Sequence, residues 1–276
     1  MDVDIIVVPF DSAQRGVRMG AGPEALLAAG LPERLERAGH RVTCLPVELS
    51  DGTWRAEIRT AFDLAARIAE RVRIARAGGR LPVILAGNCM SSIGVIAGLG
   101  RGTGVCWCDA HGDFNTPETT TAGFLDGMAL ATATGRCWVE LTARVPGFVP
   151  VVERGVWLLG ARDLDAEEAV ALRRSAIRRV PVTAIGPALA ADVRASLGSG
   201  SPLYLHVDLD VLDVSEGRAN SYAVPGGVSA RDLLAFCQAL GTPSALTLSA
   251  YDPAGDTDGR VCEIALRVLE RAAGSA

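Results

Sequence analysis

The chain has 276 residues, 49% of them hydrophobic and 21% charged, and a formal net charge of −5. That length can bury a full core and lies at the upper end of single-domain size. The charge balance leaves no basic footprint, and so excludes nucleic acid and anionic membrane as partners.

The pattern of apolar runs and turn residues predicts a regular alternation of strands and helices. Residues 4–9, Asp-Ile-Ile-Val-Val-Pro, form a short β-branched run of the kind found in buried parallel strands. A polar, glycine-rich loop over 11–22 comes next, and Pro23 suits the first turn of a helix running to about Leu31. A strand is expected at 40–46. A long amphipathic helix is expected at 54–77, from the helical spacing of Ile58, Ala61, Phe62, Ala65, Ile68 and Val72. Strand 82–85 leads into Gly87-Asn88-Cys89, a small-residue helix spans 91–99, and strand 104–108 comes after it. The stretch 116–127 reads as a long loop before a short helix ending near Thr134, and loops of that length are commonly functional. Further on, strand 155–160, a helix to Arg174, a weak strand at 180–184 and helix 188–197 precede strand 202–207. Ser229 is a plausible cap for a helix through Ala239, and strand 244–249 and helix 261–273 close the chain. The alternation implies an α/β fold in three α/β/α layers, with a central, mainly parallel sheet. There is no linker composition and no tandem repeat, so residues 1–276 are expected to form a single domain.

The seven cysteines are scattered, odd in number and without metal-ribbon or C-x-x-C spacing, so they read as free thiols of a reducing compartment. The first residues carry no positively charged leader pattern, and no apolar run reaches membrane-spanning length. A cytoplasmic location is the expectation.

Two acidic clusters carry the chemistry. Asp109-Ala110-His111-Gly112-Asp113 directly succeeds the apolar strand 104–108. In extended backbone, residues two apart point to the same side, roughly 7 Å from one another. Asp109, His111 and Asp113 can therefore converge, with oxygen and imidazole donors suited to a Mn or Zn type of ion. His206-Val207-Asp208-Leu209-Asp210 closes another apolar strand. Acids at two strand ends point to one site at the carboxyl edge of a parallel sheet.

These residues resemble the ureohydrolase superfamily of arginases and agmatinases. The resemblance rests on Asp109-Ala110-His111-Gly112-Asp113 with Asn115-Thr116-Pro117, and on residues 206–213, over nearly the whole chain. It implies that Asp109, His111, Asp113, Asp208 and Asp210 hold two Mn2+ ions, with Asp109 and Asp208 bridging. A water between two such cations is acidified toward neutrality and becomes the hydroxide that attacks a guanidino carbon. Asp113 would lie nearest that nucleophile and handle its proton.

Three positions depart from the family. Its first metal segment, Gly-Gly-Asp-His, reads Ala86-Gly87-Asn88-Cys89 here, so a soft thiol at Cys89 stands for a metal-binding histidine and is expected to be a weak or displaced ligand. Asp126 occupies the place of a histidine near the leaving amine, as a proton shuttle or as a cap for the helix after it. Ala250 stands where the family has a glutamate for the guanidinium. The amino-acid clamp is kept: by resemblance, Asn115 and Thr120 hold an α-carboxylate and Asp165 faces the α-ammonium. Asp165 also reads as a helix cap.

A kept clamp with an altered guanidinium end implies a modified, less basic arginine. The Cys-for-His exchange is similar to that of a hydrolase in D-cycloserine biosynthesis, a route to an antibiotic. The expected reaction is cleavage of Nω-hydroxy-L-arginine to hydroxyurea and L-ornithine. The alternatives are an arginase or other guanidino-acid hydrolase, and a metal-poor, non-catalytic binding or assembly subunit. The partner is a small amino-acid substrate; a homo-oligomer is compatible with the family, but no interface stripe marks one.

Overall fold

The computed structural model describes residues 1–49, 56–198 and 200–274. Strand β1 (Asp2–Val8) runs into a small hairpin of β2 (Phe10–Asp11) and β3 (Gln14–Arg15). Helices α1 (Gly22–Ala28) and α2 (Leu31–Arg37) then lead to β4 (Arg41–Pro46). In place of the one helix expected over 23–31, two form, because Gly30 between them adopts φ 88° and turns the chain. Helix α3 (Glu57–Ala77) agrees with the expected amphipathic segment from residue 57, while its expected start at Trp54 lies outside the described residues.

Strand β5 (Leu81–Ala86), α4 (Ser92–Leu99) and β6 (Gly104–Cys108) form as expected. After the long loop come α5 (Ala129–Ala133) and a short α6 (Val139–Thr142) that the sequence pattern does not single out. Strand β7 (Val156–Leu159) and α7 (Ala166–Arg174) precede β8, which is Arg178–Val180 rather than 180–184. Pro181, with no N–H to give a ladder, ends that strand, and Val182–Ala184 coils into a single helical turn. The remaining elements are α8 (Pro187–Ala195), β9 (Leu203–Asp208), α9 (Ala230–Leu240), β10 (Ala245–Ser249) and α10 (Arg260–Ala273). Ser229 caps α9 by accepting from the Asp232 N–H.

The main sheet has eight strands in the order β4-β1-β5-β10-β9-β6-β7-β8, and every pair is parallel. Period-two alternation sends Ile5, Val7, Leu205, Val207 and Leu248 to the face covered by α1, α2, α8, α9 and α10. Ile6, Val8, Ile84, Trp107 and Tyr204 turn to the other face, under α3, α4 and α5. The expected α/β/α layering is what forms. The four central strands β5, β10, β9 and β6 all end on the same edge, where the order of connections reverses, and a ligand crevice belongs at such a reversal. No helix among the described residues is long and apolar enough to cross a membrane.

Candidate active site and metal centre

The first acidic cluster leaves β6 at Asp109, whose Oδ1 accepts the His111 N–H at 2.7 Å and whose Oδ2 accepts the Trp107 indole N–H at 3.0 Å. The loop then turns sharply. Asp113 sits at φ 48°, a conformation that aspartate tolerates better than most residues. Its carbonyl receives the N–H groups of Leu130 and Ala131, which fixes the loop to the start of α5. Gly112 is needed for close approach: a Cβ there would meet Glu168 Oε1 at 2.6 Å. Glu168, buried on α7, ties two parts of the site together. Its Oε1 accepts from Phe114 N at 2.8 Å and its Oε2 from Asp165 N at 3.3 Å.

The second cluster folds back on itself as β9 ends: Asp210 N donates to Asp208 Oδ1 at 2.9 Å, and Ala110 N donates to Asp210 Oδ1 at 3.2 Å. His111 Nδ1 thereby lies 3.3 Å from Asp109 Oδ1 and 3.4 Å from Asp210 Oδ2. Burial opposes a charge on His111, but the two carboxylates outweigh it and raise the imidazole far above its ordinary range. Burial also works against Asp210, and the His111 contact overrides it and holds that carboxyl low. Asp113 and Asp208 are pushed up, by burial first and then by neighbouring carboxylates.

A cleft of about 590 Å³ opens over these groups. Among the described residues its walls carry eight acids (Glu57, Asp113, Asp126, Asp163, Asp165, Glu168, Asp208 and Asp210) and no arginine. Asn115, Thr120 and Asp165 stand along one wall; Asn115 Nδ2 donates to Asp165 Oδ2 at 3.0 Å and Asn115 Oδ1 accepts from Thr119 at 2.9 Å. Asp126 lies on the cleft as well. Its Oδ1 accepts from Met90 N at 2.8 Å and its Oδ2 from Asn88 Nδ2 at 2.9 Å, so it braces the Asn88-Cys89 turn rather than the helix after it. Burial lifts the Asp126 carboxyl to about 7 against those hydrogen bonds. Ala250 faces the cleft at φ 61°, and its carbonyl accepts from Asn220 Nδ2 at 2.9 Å.

The donor chemistry suits divalent cations. Asp109, His111 and Asp210 offer ligand atoms that lie within 4.8 Å of one another, all nitrogen or oxygen. Asp113 Oδ2 is buried without a hydrogen-bond partner, as a carboxylate awaiting a cation would be. Cys89, Asp109 and His206 form a second such group, and its thiol matches Mn2+ poorly.

Every residue singled out from sequence thus reaches one cleft, apart from Asp109, which lies buried beneath it. Two participants, Glu168 and Asn220, escape the sequence reading, and His206 is named there within the second cluster without a role of its own. His206 does carry a signal, since it lies two residues before Asp208 on β9 and so shares its face. Glu168 and Asn220 carry no comparable one.

A sequence model described as the Arginase family matches residues 1–274. The arginase of Bacillus caldovelox is 29% identical over 97% of this chain and 96% of its own length. The N(omega)-hydroxy-L-arginine amidinohydrolase of Streptomyces lavendulae is also 29% identical, over 97% of this chain and 94% of its own. The crystal structure of the arginase from Bacillus subtilis superposes with a TM-score of 0.89 at 26% identity, over 100% of this chain and 99% of the other. With the match spanning nearly its whole length and the acids gathered at the reversal point of the same sheet, the chain belongs to the arginase family.

Proposed function

We propose that the protein is a metal-dependent amidinohydrolase that adds water to Nω-hydroxy-L-arginine and releases hydroxyurea and L-ornithine. The observation that carries the reading is the contrast between the two ends of the cleft. At one end Asn115 and Asp165 are joined by a hydrogen bond, and Thr120, whose Oγ1 accepts from Gly123 N, lines the same cleft, a set suited to an amino-acid head group. At the other, Ala250 and the amide of Asn220 supply no carboxylate where the family has one. A fully charged guanidinium buried without such a partner is costly, and a less basic hydroxyguanidine needs it less. The Streptomyces lavendulae enzyme and the Bacillus caldovelox arginase are equally similar to this chain, at 29% identity, so the choice between substrates rests on the cleft.

In this reading Asp109, His111, Asp113, Asp208 and Asp210 hold two Mn2+ ions, with Cys89 the mismatched donor. Such ions, when bound, would acidify a water and stabilise the negative charge of the oxygen that attacks the guanidino carbon. The protein's own groups do the rest. Asp165 faces the α-ammonium, Asn115 and Thr120 take the α-carboxylate, and together they fix the reach of the side chain. Asp113, the metal-holding carboxylate nearest the attacking water in this reading, is assigned the proton of that water. Asp126, on the same wall, is assigned the proton exchange at the departing ornithine amine.

The test is a panel of arginine, Nω-hydroxyarginine and agmatine with the purified protein and added Mn2+, with urea and hydroxyurea measured separately. A kcat/KM at least tenfold higher for hydroxyarginine is expected, about 1.4 kcal/mol of discrimination. Arginine cleaved as well or better would overturn the proposal and leave an arginase.

A further inference from the structure

On the floor of the cleft, Cys89 is enclosed by three polar groups: Asp208 Oδ2 at 3.1 Å, His206 Nε2 at 3.2 Å and Ser249 Oγ at 3.3 Å. His206 is fully buried, stacked on Trp107 with ring centroids 3.9 Å apart. Its Nδ1 meets only hydroxyl oxygens, Ser92 Oγ and Tyr204 OH, each at 3.1 Å. The Tyr204 hydroxyl lies 2.8 Å from both Thr247 Oγ1 and Ser92 Oγ, and with its one proton given to either, its oxygen can accept from His206 Nδ1. In the tautomer with the proton on Nδ1, given to one of these hydroxyl oxygens, the Nε2 lone pair faces Cys89 Sγ at 3.2 Å and Ser249 Oγ at 3.3 Å, the orientation that outer groups give a metal-binding histidine. Tetrahedral zinc with bonds of about 2.0 Å to nitrogen and 2.3 Å to sulfur separates the two donors by roughly 3.5 Å, close to the spacing found.

We propose that Cys89 and His206, with Asp109 and Asp208, form an inner site for a borderline-soft divalent ion, zinc or cobalt, beside the harder site of Asp109, His111 and Asp210. The inference rests on the metal-dependent reading of the cleft and gives its two ions different chemistry. The buried, unpartnered Asp113 Oδ2 is an independent sign that a cation belongs at this point of the cleft. The rival use of a Cys–His pair, a thiolate nucleophile, is disfavoured. Burial and four aspartates all oppose a bare thiolate at Cys89, whereas a cation reverses that balance. On binding, the S–H bond breaks, a metal–sulfur bond forms and the proton leaves to solvent.

The experiment is titration of the chelator-treated full chain with Co2+ alone, monitored by absorption. A near-ultraviolet thiolate-to-cobalt band is expected, together with the visible bands of a tetrahedral ion. Cys89→Ser should abolish the ultraviolet band. His206→Ser should keep it, change the visible bands and weaken Co2+ binding at least roughly tenfold. Circular dichroism identifies any variant that fails to fold, and the wild-type spectrum decides the question without them. Bound Co2+ with no thiolate band, or a His206→Ser protein indistinguishable from wild type, overturns the inference. Turnover of a guanidino substrate with Mn2+ but no thiolate band would sink this inference alone. A thiolate band without turnover of any guanidino compound would sink the hydrolase reading alone.

Discussion

An aspartate at position 88, as the family pattern has it, would face two carboxylates in this protein. Asn88 Nδ2 lies 2.9 Å from Asp126 Oδ2 and 3.3 Å from Asp11 Oδ1, while Asn88 Oδ1 accepts from Ser12 N at 2.9 Å. The asparagine amide serves as donor and acceptor at once, which an ionised carboxylate at this position cannot do. The asparagine at 88 and the aspartate at 126 are therefore a matched pair. Asn88→Asp alone is expected to cost about 2–3 kcal/mol in chemical denaturation, because two buried acceptors lose their donor. Adding Asp126→His should return on the order of 1 kcal/mol by restoring a donor. Simply additive losses in the double variant would break the pairing argument. At Ala250, introducing glutamate tests the charge of the substrate end. The strained φ of 61° is already present in the parent, so the substitution adds a carboxylate without a new backbone demand. Ala250→Glu should lower the KM for arginine about tenfold, roughly 1.4 kcal/mol. An unchanged KM in steady-state assays would mean that position 250 does not face the guanidino group.

Loops at the strand ends hold their shape through a few side chains that reach back to backbone N–H groups. Glu168 on α7 grips both the metal-bearing loop, at Phe114 N, and the clamp, at Asp165 N. Removing it in Glu168→Ala leaves the buried Phe114 N–H and the half-buried Asp165 N–H without this partner. A stability loss of about 2 kcal/mol and a several-fold rise in KM for amino-acid substrates should result. A stable variant with unchanged KM would reduce Glu168 to a spacer. The excursion between β9 and α9 is pinned by Asp213, which accepts from Ser215, Gly226 and Gly227 N–H groups at 2.9, 2.7 and 2.9 Å. The Ser215 hydroxyl first, and then these N–H groups, depress its carboxyl to about 2, below the usual value of 3.8. A group depressed on folding stabilises the native state above its unfolded pKa, and loses that contribution as pH falls through the folded one. The gap in melting temperature between the parent and Asp213→Asn should be full at pH 6 and shrink below about pH 4. A gap independent of pH would assign the loop's stability elsewhere. This excursion carries Asn220 and Tyr222 to the cleft wall, so its anchoring bears on function.

Across the whole molecule, the features legible in the sequence are those that local order dictates. Asp109, His111 and Asp113 are legible because an apolar strand stops just before them and alternation fixes their side. The break at Gly30 and the early end of β8 at Pro181 escape a reading that weighs apolar periodicity above turn residues, although both positions mark chain turns. Asn220 and Glu168 are not legible because their partners lie 30 and 54 positions away, in segments related only by the fold. The contact of His206 with Cys89 spans 117 positions and needs the sheet order as well. That order sets four strand ends side by side and concentrates carboxylates at one edge, with consequences for the stability of the entire chain. Asp113 and Asp208 titrate high because burial and neighbouring acids penalise their charge, so the metal-free fold carries repulsion that a cation would remove. An ion that binds only the native state stabilises it by about 2.7 kcal/mol at one hundred times its Kd. For a chain of this size each kcal/mol moves the melting temperature by about 2–4 °C, so a rise of roughly 5–10 °C is expected. Scanning calorimetry of chelator-treated protein, with and without saturating Mn2+ or Zn2+, measures it. Asp208→Asn with Asp210→Asn should abolish the rise. If neither ion moves the transition in the parent protein, the carboxylates are balanced by their own hydrogen bonds and the edge is not built around a cation.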